Sequence, residues 1–372
     1  MKEPIRVLQI IGLSCGGGVE SVIMNYYRHL DKEKVQFDFI VHKEPLQSFV
    51  EEARSMGAKV YEITPYNQNI FKFTYEIFNI IKKGNYRIVH SNMNSLSGFP
   101  LLAAYLAGTQ VRILHNHTTD TKEEGIRTTI KRMLRPFAKV FANQYWACSK
   151  LAGEWMYGKR AVENGRVTVI NNAIDLDKFA FNQVKRDELR KEFGLEGKFV
   201  VGHVGRFMKQ KNHEFLIDVF AEVIKQKENA ILLLIGDGPL MGLIKHKVRK
   251  LKLNDKVIFL GVRSDVADWY NVMDVFLFPS LYEGLGMVAL EAQKNGVPVI
   301  ASNYVPNEVQ TNKNILFLKL DSITQWISFI CSAVRKEDSF NFIDKYNINI
   351  ETLKLEKKYI LMNDEVICQK YQ

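Results

Sequence analysis

Short apolar runs alternate with amphipathic segments along most of this chain of 372 residues. The alternation predicts parallel sheets with crossover helices, because parallel strands that are buried on both faces read as continuous apolar runs. A polar stretch from residue 171 to about residue 197 interrupts the pattern, which then starts again. The predicted fold class is therefore α/β, with two Rossmann-like, doubly wound domains that face a cleft.

The predicted strands form two series, one on each side of the polar stretch. The first series is 7–11, 37–41, 59–63, 86–90, 111–114, 144–148 and 167–170, and the second is 199–204, 230–235, 257–260, 275–278, 297–301 and 315–318. We expect an N-terminal domain at 1–175 and a C-terminal domain at 176–350. Ligands of open α/β sheets bind beyond the carboxyl ends of the strands, so the loops at those ends are the candidate site.

Composition narrows the class of protein. The net charge of +10 favours anionic partners such as nucleotides, phosphate headgroups or nucleic acid, without choosing among them. The four cysteines show no Cys-x-x-Cys spacing, which fits a reducing cytosol and gives no sign of a zinc site or a disulfide framework. The longest apolar run, 98–108, is shorter than the ~20 residues that cross a bilayer and predicts a buried helix. We expect a cytoplasmic protein.

Two carboxylates eight residues apart, Glu283 and Glu291, bracket the turn Gly284-Leu285-Gly286. If a helix starts at the turn, eight residues bring both side chains to about the same face. Amides at a helix N-terminus suit phosphate oxygens, and carboxylates accept hydrogen bonds from sugar or ribose hydroxyls. One short segment could thus hold both ends of a nucleotide sugar. The alternative is an ordinary helix whose first glutamate is stabilised by the helix dipole.

Two other loops follow predicted strands. Residues 16–18 are three glycines, which allow a tight turn and close approach to a ligand. They do not form the G-x-G-x-x-G fingerprint, and a flexible connection is the alternative. Arg206 and Lys211 lie five residues apart before a helix, where they could clamp a diphosphate as a fork and a point charge. A solvated basic loop is the alternative there.

A His-x-His pair, His115 and His117, follows the strand at 111–114. Such a pair could ligate a metal, but no Cys or further His lies nearby in the sequence. We therefore expect a hydrogen-bonding or proton-handling role. At another strand end, backbone groups around Val262 could read the edge of a nucleobase.

Taken in order, these segments resemble the retaining glycosyltransferases of family four, also called glycosyl transferases group 1, which have the GT-B fold. The resemblance runs from about residue 5 to about residue 320 and is nearest to transferases of bacterial capsule and exopolysaccharide assembly. It is carried by the glycine loop, the basic loop 205–212, Gly-Asp-Gly-Pro-Leu at 236–240, Pro-Ser-Leu-Tyr-Glu-Gly-Leu-Gly at 279–286, and Asn-Asn-Ala-Ile-Asp at 171–175. Ala173 replaces a usual glycine, and the fit is loose after about Leu320.

The resemblance implies an acceptor domain at 1–175, a donor domain at 176–350, and a tail from about 350 to 372 that packs back on the first domain. It also implies a role for each candidate residue. Arg206 and Lys211 would hold the donor diphosphate, Glu283 would contact the donor sugar, and His117 would lie beside that sugar; these are the catalytic candidates. Donor-binding roles fall to Gly17, Gly18, Gly284, Leu285, Gly286, Glu291 and Val262. Of these, Glu291 would hold the ribose hydroxyls.

The implied reaction moves a sugar from a UDP- or GDP-linked donor to a glycan or polyprenyl-diphosphate-linked saccharide with retention of configuration. Side-chain cations and helix-end amides would stabilise the leaving diphosphate, so no cofactor, no metal and no nucleic-acid partner is expected. The metal-like spacing of Asp175 and Asp177 lies in the linker. A nucleotide-sugar epimerase with His115, His117 or Asp120 as acid and base is the alternative. A lectin-like adaptor and a nicotinamide dehydrogenase are disfavoured.

Basic and apolar residues interleave at roughly helical spacing between residues 122 and 139. The basic set is Lys122, Arg127, Lys131, Arg132, Arg135 and Lys139, and the apolar set is Ile126, Ile130, Met133, Leu134 and Phe137. Such a helix suits an anionic membrane surface and predicts docking at the inner face of the cell membrane. The alternative is an ordinary helix that packs its apolar stripe on the sheet.

Overall fold

The computed structural model describes residues 3–12, 18–118, 126–335 and 344–370. The chain divides into two compact units, Met1–Ala173 with Lys345–Gln372, and Ile174–Asp344. Each unit is built on one parallel sheet with connecting helices, which confirms the predicted α/β class. No helix within the described ranges is long and apolar enough to cross a membrane.

The first unit holds a seven-stranded sheet in the order β3-β2-β1-β4-β5-β6-β7. Its strands are β1 Ile5–Gly12, β2 Val35–His42, β3 Val60–Ile63, β4 Ile88–Ser91, β5 Val111–Asn116, β6 Gln144–Ala147 and β7 Val167–Val169. Its helices are α1 Gly18–His29, α2 Gln47–Ser55, α3 Ile70–Gly84, α4 Gly98–Leu106, α5 Ile126–Phe141, α6 Lys150–Tyr157, α7 Lys159–Glu163 and, at the end of the chain, α14 Ile348–Lys370. Strand β1 pairs in parallel with β2 and β4, so the strand order reverses there and a crevice opens at their carboxyl ends.

The second unit holds a six-stranded sheet in the order β10-β9-β8-β11-β12-β13. Its strands are β8 Phe199–Val204, β9 Ala230–Ile235, β10 Val257–Gly261, β11 Val275–Phe278, β12 Val299–Ser302 and β13 Ile315–Leu318. Its helices are α8 Gln183–Glu192, α9 His213–Gln226, α10 Met241–Lys250, α11 Val266–Val272, α12 Met287–Lys294 and α13 Ile323–Ser332. The strand order reverses between β8 and β11, which pair in parallel.

Every predicted strand is present, with ends displaced by a few residues, because buried parallel strands leave uninterrupted apolar runs. The prediction that 98–108 forms a buried helix is wrong in one respect. Helix α4 covers Gly98–Leu106, but Tyr105 and Leu106 are 55% and 60% exposed. A helix packed on a core presents only one face to it, and here Leu101 and Ala104 supply that face.

Helix α14 completes the core of the first unit from the far end of the chain. It contacts α1 and strands β1, β2 and β5. The buried ring of Tyr359 meets Phe37 edge to face at 5.9 Å and lies 5.6 Å from Trp146. A side chain from near the C-terminus therefore enters the middle of the N-terminal sheet.

Candidate active site

In the second unit, the loops after β8, β9 and β11 are joined by hydrogen bonds at the carboxyl edge of the sheet. The amide of Phe207 donates to the Asp237 carbonyl at 2.9 Å, which links the loops after β8 and β9. Gln210 accepts from the amide of Leu281 at 2.8 Å and donates its side-chain amide to the Tyr282 carbonyl at 3.0 Å. The basic loop after β8 is thus fixed against the acidic loop after β11.

Close approach of the first two loops depends on a glycine. Gly236 has a φ of 130°, and a Cβ added there would lie 2.2 Å from the carbonyl oxygen of Gly205. No other residue fits at this position without moving the backbone. The Gly-Asp-Gly-Pro segment therefore serves packing of the loop that carries Arg206 and Lys211.

Lys211 and Glu283 form an ion pair at this edge. Lys211 Nζ lies 2.6 Å from Glu283 Oε1, and the two side chains are only 16% and 8% exposed. The same ammonium lies 5.1 Å from the centre of the Phe278 ring, within cation–π range. A largely buried pair of this kind is costly to break, because either charge left alone is uncompensated.

Glu291 lies on α12 and accepts a hydrogen bond from the Tyr270 hydroxyl at 2.8 Å. Burial raises the pKa of Glu291 to about 7, although the Tyr270 hydroxyl and the charges of Lys178 and Lys211 act in the opposite direction. Lys211 therefore acts electrostatically on both predicted carboxylates. Tyr270 was not predicted from the sequence, since it carries no signal beyond an aromatic residue in an amphipathic helix.

The two glutamates do not share a helical face. Helix α12 begins at Met287, after Gly286 with a φ of 98°, and Glu283 precedes the helix. The left-handed φ of Gly286 departs from helical geometry, and a Cβ there would lie 2.8 Å from the Phe278 ring, so both the conformation and the space favour glycine. The loop contacts, and not the eight-residue spacing, bring Glu283 to Lys211.

The remaining candidate residues of the sequence analysis lie in several settings. Arg206 is exposed on the basic loop, and Gly284 precedes α12. The side chain of Leu285 is buried in the core, while that of Val262 is 74% exposed. Gly18 begins α1 with open space where a Cβ would stand. Gly17 and Asp120 lie outside the described residues. Asp175 accepts hydrogen bonds from the amides of Asp177 and Lys178, both at 3.0 Å, so it closes a turn.

Two histidines that the sequence analysis did not single out flank the basic loop. His203 lies near the end of β8, and its Nδ1 is 2.8 Å from the Leu277 carbonyl oxygen. His213 is the first residue of α9, and its ring stacks on the Phe207 ring with 4.0 Å between the ring centres. Burial lowers the pKa of His203 to about 4 and that of His213 to about 2, and Lys211 adds to both shifts. Lys211 thus stands beside imidazoles that stay neutral at physiological pH.

In the first unit, the His-x-His pair belongs to a buried histidine cluster at the carboxyl ends of β4 and β5. The rings of His90 and His115 stack at 5.1 Å, and the rings of His115 and His117 are tilted, with their centres 4.0 Å apart. Burial lowers the pKa of all three, to about 3 for His117. Each ring therefore carries a single N–H at neutral pH.

Hydrogen bonds fix which nitrogen of His117 carries that proton. His117 Nε2 lies 2.9 Å from Asn92 Oδ1, an acceptor, so Nε2 donates. Asn92 in turn donates to Gln9 Oε1 at 2.9 Å, and Gln9 donates to the Tyr359 hydroxyl at 3.1 Å. His117 Nδ1 is buried without a hydrogen-bond partner among the described residues. It keeps a lone pair for a ligand hydroxyl.

The same direction of donation continues through the other two rings. Having accepted from Gln9, the Tyr359 hydroxyl donates to His90 Nδ1 at 2.6 Å, and His90 Nε2 donates to His115 Nδ1 at 2.9 Å. We call Gln9, His90, Asn92, His115, His117 and Tyr359 the histidine network. Within the described residues, no group of three His, Cys, Asp or Glu side chains is arranged to hold a metal ion.

Helix α5 has features of both interpretations of the basic segment, a membrane-binding helix and an ordinary helix packed on the sheet. Ala138 is buried and the Phe137 ring lies 5.2 Å from that of Phe99, so one face packs on the unit. Ile130 and Met133 are nevertheless 50% and 74% exposed. Arg135 donates to the Trp155 carbonyl and stands 5.0 Å over its ring. Lys122 lies outside the described residues, as do the side chains of Arg127 and Lys131.

Comparison with known proteins identifies the family. Residues 16–178 match the model of glycosyltransferase family 4, and residues 185–318 match that of glycosyl transferases group 1. The chain is 35% identical to EpsF of Bacillus subtilis, which is named as a glycosyltransferase, over 88% of this chain and 87% of that protein. This chain belongs to glycosyltransferase family 4.

Other relatives of this family 4 glycosyltransferase are named for capsular polysaccharide biosynthesis and for transfer to a diphosphoundecaprenol-linked sugar. It is 26% identical to the capsular polysaccharide biosynthesis glycosyltransferase CapH of Staphylococcus aureus, over 96% of this chain and 99% of that protein. It is 27% identical to the Escherichia coli UDP-Gal:alpha-D-GlcNAc-diphosphoundecaprenol alpha-1,3-galactosyltransferase, over 90% of this chain and 88% of that protein. These relatives are all transferases and do not favour the epimerase alternative.

A solved structure supports the fold. HepE of Anabaena, in complex with UDP and glucose, superimposes with a TM-score of 0.73 at 18% identity, covering 99% of this chain and 100% of that one. At that identity the likeness shows the fold alone. Together with the two parallel sheets, it confirms that the family 4 glycosyltransferase has the GT-B fold.

Proposed function

We propose that the enzyme transfers a sugar from a UDP- or GDP-linked donor to a polyprenyl-diphosphate-linked saccharide, with retention of configuration, in capsule or exopolysaccharide assembly. The observation that carries the proposal is the Lys211–Glu283 ion pair beside Glu291, at loops fixed to one another on one sheet edge. The relatives named for capsule synthesis and for a diphosphoundecaprenol acceptor support the substrate classes.

The charges at this edge suit departure of a nucleoside diphosphate. As the glycosidic bond breaks, negative charge develops on phosphate oxygens, and preorganised cations stabilise it. Lys211 and the exposed Arg206 would supply these cations. The ion pair between Lys211 and Glu283 would weaken as Glu283 accepts a hydrogen bond from a sugar hydroxyl. Glu291, when ionised, would accept from the ribose hydroxyls. None of these roles requires a metal.

His117 would act as a neutral hydrogen-bond acceptor. Its Nε2 is committed to Asn92, so Nδ1 is the atom that would accept from a hydroxyl of the donor sugar. A pKa of about 3 makes the imidazole unsuited to donate a proton near neutral pH. It would orient the sugar without taking part in proton transfer.

The first unit would reach its acceptor at an anionic membrane surface. Beside α5 is a cavity of about 270 Å³ whose lining includes Arg132, Arg135, Lys139 and Trp155, together with Glu154. Basic residues near an anionic bilayer contribute about 1 kcal/mol each, and the exposed Ile130 and Met133 would enter the interface.

Radiolabelled UDP- and GDP-sugars, incubated with and without a polyprenyl-diphosphate saccharide, test the reaction. We expect label in the lipid fraction only when the acceptor is present, and NMR of the product should show the anomeric configuration of the donor. Activity should survive a chelator. Interconversion of the donor sugar without acceptor would favour an epimerase, and loss on chelation with rescue by Mn²⁺ or Mg²⁺ would overturn the metal-independent mechanism.

A further inference from the structure

Helix α3 of the first unit is apolar on two of its faces. Asn69 caps its start by accepting from the amide of Lys72 at 2.9 Å. One face, Phe73, Ile77 and Ile81, is buried in the core. The second face leaves Phe71 84% exposed. A helix that covers one core needs only one apolar face, so the second is unexplained by folding.

The second face of α3 and one face of α4 line an apolar groove of about 380 Å³. The residues of each helix recur at spacings of three and four, which places them on a single face. From α3 they are Phe71, Thr74, Tyr75 and Phe78, with Ile70 at the end, and from α4 they are Phe99, Leu102, Ala103 and Leu106. Exposed apolar surface of this kind marks a site of interaction.

The charge around the groove indicates which kind of partner binds there. Helix α4 contacts α3 on one side and α5 on the other, so the three helices form a continuous layer. Within this layer the sequence has eight Lys or Arg residues and a single carboxylate, Glu76. That carboxylate accepts from the amide and hydroxyl of Thr64, at 2.8 and 3.3 Å. A second copy would bring like charges together, whereas an anionic bilayer complements them.

We propose that this groove takes hydrocarbon tails of an anionic membrane, and that the α3–α4–α5 layer is the membrane-binding face of the first unit. The exposed rings and Leu106 would enter the acyl region, while Lys72, Lys82 and Lys83 would meet the lipid phosphates. The biological purpose rests on the proposed function, since a polyprenyl-linked acceptor is held in a membrane. The binding itself does not.

Vesicle co-sedimentation tests the groove. The double variant Phe71→Ser/Leu106→Ser should bind phosphatidylglycerol-containing vesicles at least about tenfold more weakly than the unmodified protein, because two apolar side chains no longer leave water. The matched control is Leu353→Ser/Leu361→Ser, two residues of α14 that are 67% and 52% exposed. It should bind normally. Lys82→Glu/Lys83→Glu should weaken binding at low salt, and plain phosphatidylcholine should bind poorly.

A second measurement places the groove at the level of the acyl chains. Tryptophan fluorescence of Leu106→Trp should be quenched by lipids brominated on the tails, and that of Leu361→Trp should not. Equal quenching of both, or equal binding by the groove variant and its control, would overturn the proposal. So would loss of self-association in the groove variant with vesicle binding intact, because a second copy would then cover the groove.

The outcome is separable from that of the proposed function. Vesicle binding needs no sugar donor or acceptor, so it can succeed while transfer fails. If the transferase activity is as proposed, the groove variant should keep transfer to a short-chain, water-soluble acceptor and lose transfer to the same saccharide on a membrane-embedded polyprenyl diphosphate.

Discussion

The two units place polar groups at the carboxyl edge of a parallel sheet in opposite ways. The second unit places charges there, with Lys211 paired to Glu283 and acting on Glu291. The first unit places neutral groups there, in a histidine network whose rings are kept uncharged by burial. Charges respond to charge that develops in a reaction, whereas a neutral hydrogen-bonded network fixes the orientation of the side chains within it.

The ion pair and the histidine network also differ in how much stability the protein loses when one of their residues is removed. A broken ion pair leaves a buried charge, which is a large penalty confined to two residues. A broken neutral network loses one hydrogen bond but frees the tautomer of every ring that follows. The first unit should therefore show small losses of stability with effects at a distance, and the second large local ones.

The largest expected effect is at the basic loop. Lys211→Met and Arg206→Ala should each lower kcat/KM by about a hundredfold or more, because each removes a cation that acts in the transition state. Only Lys211→Met should also lower the free energy of unfolding, by about 3–5 kcal/mol, since it leaves Glu283 uncompensated. Lys209→Ala, exposed on the same loop, is the control and should change neither. Wild-type kcat/KM in both Lys211→Met and Arg206→Ala would show that the basic loop is not part of the active site.

The next comparison separates the two carboxylates. Glu291→Ala should weaken binding of free nucleoside diphosphate, because it would hold the ribose. Glu283→Ala should spare that binding and impair transfer, because it would touch only the sugar. Calorimetry with UDP and GDP, set beside transfer rates, makes the distinction. An equal loss of nucleotide affinity in both variants would contradict the division of roles.

A smaller effect is expected from Tyr359→Phe in the histidine network. The change removes the O–H that donates to His90, at a cost of about 1–3 kcal/mol in unfolding free energy, and transfer should fall roughly tenfold. Nitrogen-15 shifts of the His90 and His115 rings, which follow Tyr359 in the network, should move from single tautomers to mixtures. Tyr145→Phe, whose hydroxyl donates to the Lys139 carbonyl outside the network, should leave those shifts unchanged. Unchanged shifts in Tyr359→Phe would disprove the directed network.

The smallest effect is a pH dependence due to Glu291. Its pKa is raised from 4.5 to about 7 in the folded state, so the folded protein binds a proton that the unfolded chain has released between these values. Stability is therefore lost as pH rises through this window, by at most about 3 kcal/mol because part of the side chain is exposed. The unfolding free energy of the wild type minus that of Glu291→Gln should decline from pH 4.5 to pH 7, and a flat difference would refute the shift.

The sequence predicted the strands, because apolar runs mark buried strands, and it placed Lys211 and Glu283 in the loops that follow two of them. The shared helical face that it predicted for Glu283 and Glu291 was wrong, because α12 begins only at Met287. The sequence did not predict Tyr270 as the partner of Glu291, nor the electrostatic effect of Lys211 on His203 and His213. Those interactions depend on which strand ends become adjacent, a property of the sheet order.

The histidine network shows the same limit more sharply. The sequence singled out His115 and His117 but found no further histidine near them, because His90 ends a different strand, 25 residues away. Tyr359 is 269 residues from His90, in a helix that no local pattern assigns to the first sheet. Likewise, the two apolar faces of α3 are visible in the sequence, but the groove appears only once α4 is placed beside them.

The return of α14 to the first sheet sets an order in time as the ribosome makes the chain. The second unit, Ile174–Asp344, is complete before the residues that finish the first unit emerge. At roughly 5–20 residues per second, the N-terminal sheet waits on the order of ten to forty seconds for its last helix. During that interval Phe37 and Trp146 lack the ring that covers them. The part of the enzyme that is translated first is therefore the part that matures last.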